Sequence, residues 1–268
     1  MNKYLVFAFP FLISCSGNIL HDVASKSNDA DLLYQAQQLV NAESFDAAIT
    51  LITTKMSTSG QAVVAAREAL ASAYGGKCGL IFLNYVTALS AATTGSAMMI
   101  LKTPFVGVAV TPSACRSALA TMDLIGPNSR RTLNQNFFTA ILGMVLMGSA
   151  TRGYIDATPA VGDGINDVNI CTGVTDPQMN DIIIGFGYMT QNISAVSSAS
   201  IGSSSMAALT GISTACQAVG GASCVITDPA QITTPIRDFF RDLTNTLQYG
   251  VGSYSTGGND LLIPGSCP

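Results

Sequence analysis

Apolar residues recur every three or four positions along most of the chain, which is the spacing of one helix face rather than of a strand. Leu32, Leu33, Ala36, Leu39 and Val40 form the first such face. Phe45, Ala48, Ile49 and Ile52 form the second, with Asn41-Ala42-Glu43-Ser44 breaking the pattern between them. Asn28 or Asp29 is placed to cap the first helix, and Asp31 falls in its opening turn, where a carboxylate suits the helix dipole. A third helix is expected from about Gln61 to Tyr74, stopped by Gly75-Gly76. Further on, Thr111-Pro112, Asp176-Pro177, Asp228-Pro229 and Thr234-Pro235 each set a capping oxygen before a proline, which is tolerated in a first helical turn. Met179, Ile182, Ile183, Phe186, Met189, Ile193 and Val196 make one downstream stripe. Ile236, Phe239, Phe240, Leu243 and Leu247 make another, with Arg237, Asp238, Arg241 and Asp242 expected on a solvated opposite face. No run of alternating strand residues appears. The pattern predicts an all-α fold of antiparallel helical hairpins or a bundle.

Charge is scarce. Charged residues make up 10% of the chain, hydrophobic ones 48%, and the formal net charge is -4. Without a basic patch to neutralise phosphates, nucleic-acid binding is not expected. Three stretches carry no charge at all: Cys78 to Leu101, Thr132 to Thr151 and Ile182 to Thr227. Their Ser, Thr, Asn and Gly content argues against membrane spans, and only Phe137 to Ala150 is densely apolar. They are expected to be buried helices with small residues at close contacts.

The first residues carry a different signal. Lys3 precedes an apolar run from Tyr4 to Ile13, which ends in Leu12-Ile13-Ser14-Cys15. This resembles the lipobox of bacterial lipoproteins. The resemblance implies cleavage before Cys15, acylation there by chains such as palmitate, and anchoring in the cell envelope. Ser16, rather than Asp, follows the cysteine. In Gram-negative lipoproteins that implies the outer membrane, with the protein expected to face the periplasm. The expected organisation is a signal peptide (1–14), a lipidated tether (15–28), an N-terminal helical part (29–155), a Gly/Asp/Asn loop (156–175), a C-terminal helical part (176–249) and a loop-like tail (250–268).

Leu32, Ala36, Leu39, Phe45, Ala48 and Ile52 fall where a tetratricopeptide hairpin places its large and small packing residues. The stretch therefore resembles about one and a half such repeats, departing from the pattern at Gln35 and Gly60. The chain as a whole is similar to helical envelope lipoproteins of unassigned function. That likeness lies in the lipobox, the repeat-like hairpin, the segment Ala71-Ser72-Ala73-Tyr74-Gly75-Gly76-Lys77-Cys78-Gly79 and an Asp/Gly loop before a cysteine.

Six cysteines remain after Cys15: Cys78, Cys115, Cys171, Cys216, Cys224 and Cys267. An even number in an exported chain implies disulfides, with connectivity left open by the sequence. Cys216 and Cys224 are the easiest pair to close, because Gly220-Gly221 lies between them. Cys78 beside Lys77 is better read as a disulfide partner at a helix start than as a nucleophile. No Cys/His spacing suits zinc, and His21 is the only histidine. No Walker, HExxH or GxSxG motif is present, so no enzyme is expected.

Gly162-Asp163-Gly164-Ile165-Asn166-Asp167 resembles the Mg²⁺-holding hinge of P-type ATPases, but the phosphorylated-aspartate motif that works with it is missing. Asp163, Asn166, Asp167 and Asn169 supply oxygens of the kind calcium takes, although not at the spacing of an EF-hand. The same residues build tight turns. A turn is the expected reading and calcium the second; no other cofactor is expected. These features imply a lipid-anchored module that binds other envelope proteins or supports them. The alternative is a periplasmic carrier of an apolar ligand, like the lipoproteins associated with TRAP transporters. A cavity lined by the Ile182–Val196 stripe would favour that alternative.

Overall fold

The computed structural model describes residues 29–252 and Cys267, so Cys15, His21, the signal and tether segments and most of the tail lie outside the described residues. The described chain is all-α, with no strand among the described residues. Its helices are α1 (Asp29–Asn41), α2 (Phe45–Lys55), α3 (Thr58–Ala62), α4 (Val64–Cys78), α5 (Phe82–Ala91), α6 (Ala97–Lys102) and α7 (Pro112–Asp123), followed by α8 (Leu133–Ile155), α9 (Ile170–Gly173), α10 (Asp176–Asn192), α11 (Ser198–Ile201), α12 (Ser203–Gly220) and α13 (Thr234–Asn245).

The axis of the molecule is the antiparallel pair of α8 and α10. A capping box starts α8: the Gln135 amide donates to the Thr132 hydroxyl at 3.3 Å, and the Thr132 amide donates back to Gln135 Oε1 at 2.8 Å. At α10 the Gln178 side chain accepts from the Thr175 amide at 2.8 Å, so Thr175, one residue before the expected Asp176, marks the start. The two helices cross at glycines. A Cβ on Gly143 would stand 2.7 Å from the Gly185 carbonyl oxygen, and one on Gly185 would stand 2.8 Å from that of Gly143. Backbone meets backbone there, which is why these charge-free stretches are rich in small residues. α8 is the one described helix long and apolar enough to cross a membrane, and 83% of its apolar window is buried within the protein. That is the burial pattern of a core helix.

The two helical parts share one core. Leu89, Met98, Leu119, Met144, Ile183 and Phe240 belong to a single buried cluster that spans both sides of the 156–175 loop. A second, smaller cluster of Leu32, Ala36, Ile52, Met56, Ala66 and Ala69 joins α1, α2 and α4. Ala36 and Ala48 are fully buried, as expected of small residues between two close helices. The α1–α2 turn passes through Glu43 at φ 57°. Asp29 spans the unit, accepting from the Ser57 amide at 2.8 Å and from the Ser57 hydroxyl. These bonds hold its carboxyl below the usual range.

Two expectations are corrected. Gly75-Gly76 do not stop a helix; α4 continues to Cys78, and Gly79, at φ +112°, provides the left-handed end. The glycines sit inside α4 because Leu142 packs over Gly75 and the Phe45 ring over Gly76. On α13, Asp242 does not face solvent: it is 2% exposed and accepts from the Cys267 amide at 2.7 Å. Arg241 pairs with Asp176 of α10 at 2.6 Å, and Arg237 bonds Asn180 at 2.8 Å. Arg237, Arg241 and Asp242 thus form a seam to α9, α10 and Cys267, where paired charges are tolerated, while Asp238 stays exposed.

Candidate functional site

The Gly/Asp/Asn loop closes over two buried cations. Lys102, at the end of α6, and Arg152, near the end of α8, are 0% and 1% exposed. They are the residues that end the first two charge-free stretches, a signal the helix pattern alone did not weigh. Asp156, also fully buried, faces Lys102 at 3.3 Å. Its Oδ1 accepts from the Asp163 amide and its Oδ2 from the Gly164 amide, both at 3.0 Å. Lys102 Nζ donates to the Gly164 carbonyl at 3.0 Å and to Asn166 Oδ1 at 2.8 Å. Arg152 donates to the Ala160 carbonyl at 2.8 Å and to that of Val108. Burial lowers the proton affinity of Arg152, and the Asp156 carboxylate opposes that shift. Gly162, at φ +71°, is required: a Cβ there would lie 2.7 Å from Arg152 Cδ.

Each of the four candidate cation ligands has hydrogen-bond partners of its own. Asp163 accepts from the Ile165 amide at 2.9 Å, and Asp167 from the Thr158 amide at 2.7 Å. Asn169 caps α9 through the Cys171 and Thr172 amides. Asn166 is shared between Lys102 and the Val251 carbonyl. The cation that Asn166 and Asp156 share is the Lys102 ammonium. Among the described residues no group of three or more His, Cys, Asp or Glu side chains is arranged to hold a metal. Ca²⁺ should therefore leave the thermal unfolding midpoint unchanged, in the wild type and in an Asp163→Ala/Asp167→Ala variant. That variant should itself lose about 1 kcal/mol or less, since the two amides that lose their acceptors are at exposed sites where water can replace them. A midpoint rise with Ca²⁺ that the variant abolishes would establish a cation site instead.

All six described cysteines pair: Cys78 with Cys115, Cys171 with Cys267, and Cys216 with Cys224. Cys78 lies at the end of α4 rather than at a helix start, and its bridge ties α4 to α7 beside Ser149. Cys171 holds the last described residue against α9.

A surface groove of about 430 Å³ opens between the α1–α2 turn and the start of α5. Val40, Phe45, Leu80, Phe82, Leu83 and Phe138 line it, together with the polar Asn41, Glu43 and Ser72. Phe82 sits edge-on to Phe137 at 6.3 Å, yet stays 43% exposed, and Leu83 is 74% exposed. The periodicity of the sequence did not mark this groove, because it is built from one turn, one helix start and the flank of α8.

No family model, no curated protein and no solved structure matches the chain.

Proposed function

We propose that this protein is a lipid-anchored component of the cell envelope that acts by binding other envelope proteins, or by bracing them. The observation that carries the reading is the Phe82–Leu83 groove. Large apolar side chains left in water at a concave surface are the usual mark of a partner site. The α1–α2 pair beside it supports the same reading, with Ala36 and Ala48 buried where a tetratricopeptide-like hairpin carries small residues. Anchoring rests on Leu12-Ile13-Ser14-Cys15, and the outer membrane on the absence of Asp after Cys15. Carriage of an apolar ligand draws less support. Met179, Ile182, Ile183, Phe186 and Met189 are fully buried, and none of them lines the five surface pockets of the described residues.

One experiment tests both halves. Cys15→Ala should release the protein from membranes, since stable attachment takes more than one acyl chain. Cross-linking in intact envelopes should yield a defined adduct with wild type and with a Leu247→Asp control, which alters an exposed leucine outside the groove. Leu83→Asp should lose that adduct. Membrane retention of Cys15→Ala defeats the anchor; an adduct indifferent to Leu83→Asp defeats the groove.

A further inference from the structure

The chain enters the described structure at Asp29, and one end of the bundle is built around that entry. Asp29 opens α1 and holds Ser57, the cap of α3. α2 ends there with Lys55, and α3 leads directly into the first turn of α4, at Val64. Arg67, one turn further, donates to the carbonyl of Leu124, which follows the last turn of α7. Glu68 accepts from Gln135 at 2.8 Å, which brings the start of α8 to the same place. The termini of α1, α2, α4, α7 and α8 therefore meet at one end. Three aliphatic side chains on them stand in water: Val64 is 44% exposed, Leu124 64% and Leu133 69%.

The charges add a second, independent observation. Outside the buried Lys102 and Arg152, the described cations divide in two. Lys77, Arg116, Arg131, Arg237 and Arg241 each pair with an aspartate. Lys55, Arg67 and Arg130 form no ion pair among the described residues, and all three stand at the Asp29 end, where Arg130 lies three residues before Leu133. Of the carboxylates nearby, Asp29 is engaged by Ser57, Glu68 by Gln135 and Asp123 by Arg131 and Tyr188, and Asp31 is only part-exposed. In the sequence a further cation, Lys26, precedes Asp29 by three positions.

We propose that this end is a docking face for a lipid bilayer carrying anionic headgroups. The proposal rests on the anchored reading given above. Under that reading the 14 residues from Cys15 to Asn28 join the acyl chains to Asp29, and they reach at most about 50 Å. Tethering makes docking an intramolecular event, with an effective concentration on the order of millimolar, so a weak face suffices. Interfacial binding grows with the apolar area buried and with attraction to anionic lipid. Val64, Leu124 and Leu133 supply the first; Lys55, Arg67 and Arg130 supply the second. α1 is 13 residues long, about 20 Å, and the Phe82–Leu83 groove lies at its far end, beside the α1–α2 turn. Docking through the Asp29 end therefore turns the groove away from the bilayer, toward other envelope proteins.

The chain contains no tryptophan, so one introduced by substitution is the sole such reporter. The acylated full chain, carrying Leu133→Trp or Leu83→Trp, is placed on vesicles of phosphatidylethanolamine and phosphatidylglycerol with brominated acyl chains. Leu133→Trp emission should shift to the blue and be quenched by the bromines; Leu83→Trp emission should do neither. Adding Lys55→Gln and Arg130→Gln should lower the docked-to-free ratio by about 25-fold, at about fivefold per cation. Vesicles of phosphatidylcholine alone should lower it likewise. Flotation with the vesicles, lost in Cys15→Ala, reads the anchor separately. Anchored protein whose Leu133→Trp emission ignores brominated lipid would overturn the face and leave the anchor standing. Equal quenching of Leu83→Trp, or quenching indifferent to the loss of both cations, would do the same. If Cys15 carries no acyl chain, the chain must still show Leu133→Trp quenching with millimolar vesicles added, or the face falls as well.

Discussion

Lys102→Met should lower the unfolding free energy by about 3–5 kcal/mol, the cost of leaving one partner of a buried ion pair uncompensated. In a protein of this size that is a fall in midpoint of about 6–20 °C. The reason is local. Asp156 and Lys102 are both fully buried, and the ammonium also serves Gly164 and Asn166. Methionine fills the space of the aliphatic stem but leaves the carboxylate and both loop oxygens facing an apolar tip. Asp156→Asn should cost less, because an amide oxygen still accepts one of the two loop amides. The double variant should be less destabilised than the sum of the singles, since the two groups are in contact. Urea unfolding with the disulfides intact measures all three. A loss below about 1 kcal/mol for Lys102→Met would mean that the loop does not depend on the pair.

Gly185→Val should cost about 3 kcal/mol or more, at the upper end of the overpacking range. Its new Cβ would stand 2.8 Å from the Gly143 carbonyl oxygen and 2.8 Å from the Met147 amide nitrogen. Both neighbours are backbone, so no rotamer change relieves the clash, and α8 and α10 must separate. Gly211→Ala is the matched control. Nothing lies within 4 Å of a Cβ at Gly211, and the position is inside α12, so alanine should stabilise by about 0.5–1 kcal/mol. Equal effects at the two positions would show that helix propensity, not the crossing, governs them.

The helices were legible where one face is apolar and the other polar. Leu32 and Ala36 on α1, Ala48 and Ile52 on α2, and the Met179–Met189 stripe of α10 are all buried as their spacing predicts. The starts at Thr111-Pro112 and Thr234-Pro235 were legible to within a residue, since Pro restricts the chain it begins, but the cap of α13 is Thr233 and neither cap bonds through its side chain. Helix ends were not. Gly75-Gly76 and Gly79 offer the same permissive backbone, and the choice among them depends on Leu142 and Phe45, residues distant in sequence. The solvated face expected on α13 held at Asp238 but failed at Arg237, Arg241 and Asp242, because charge alone does not report exposure. Asp242 is buried where Cys267 returns, and a disulfide to Cys171 brings it there.

By itself the sequence determined the all-helical class, through a 3.6-residue apolar period and capping oxygens that act within a few residues. It also marked Cys216 and Cys224 as a pair that local glycines allow to close, and these two lie bonded. Tertiary structure decided everything that depends on groups far apart in the chain. It turned the oxygens of Asp163, Asn166, Asp167 and Asn169 into separate hydrogen bonds, because Lys102, from α6, and Asp156, from the end of α8, meet beneath them. It also brought Arg67, Leu124 and Leu133 to one end of the bundle. Periodicity reports which face a helix buries; it carries no information about which distant charge will come to rest there.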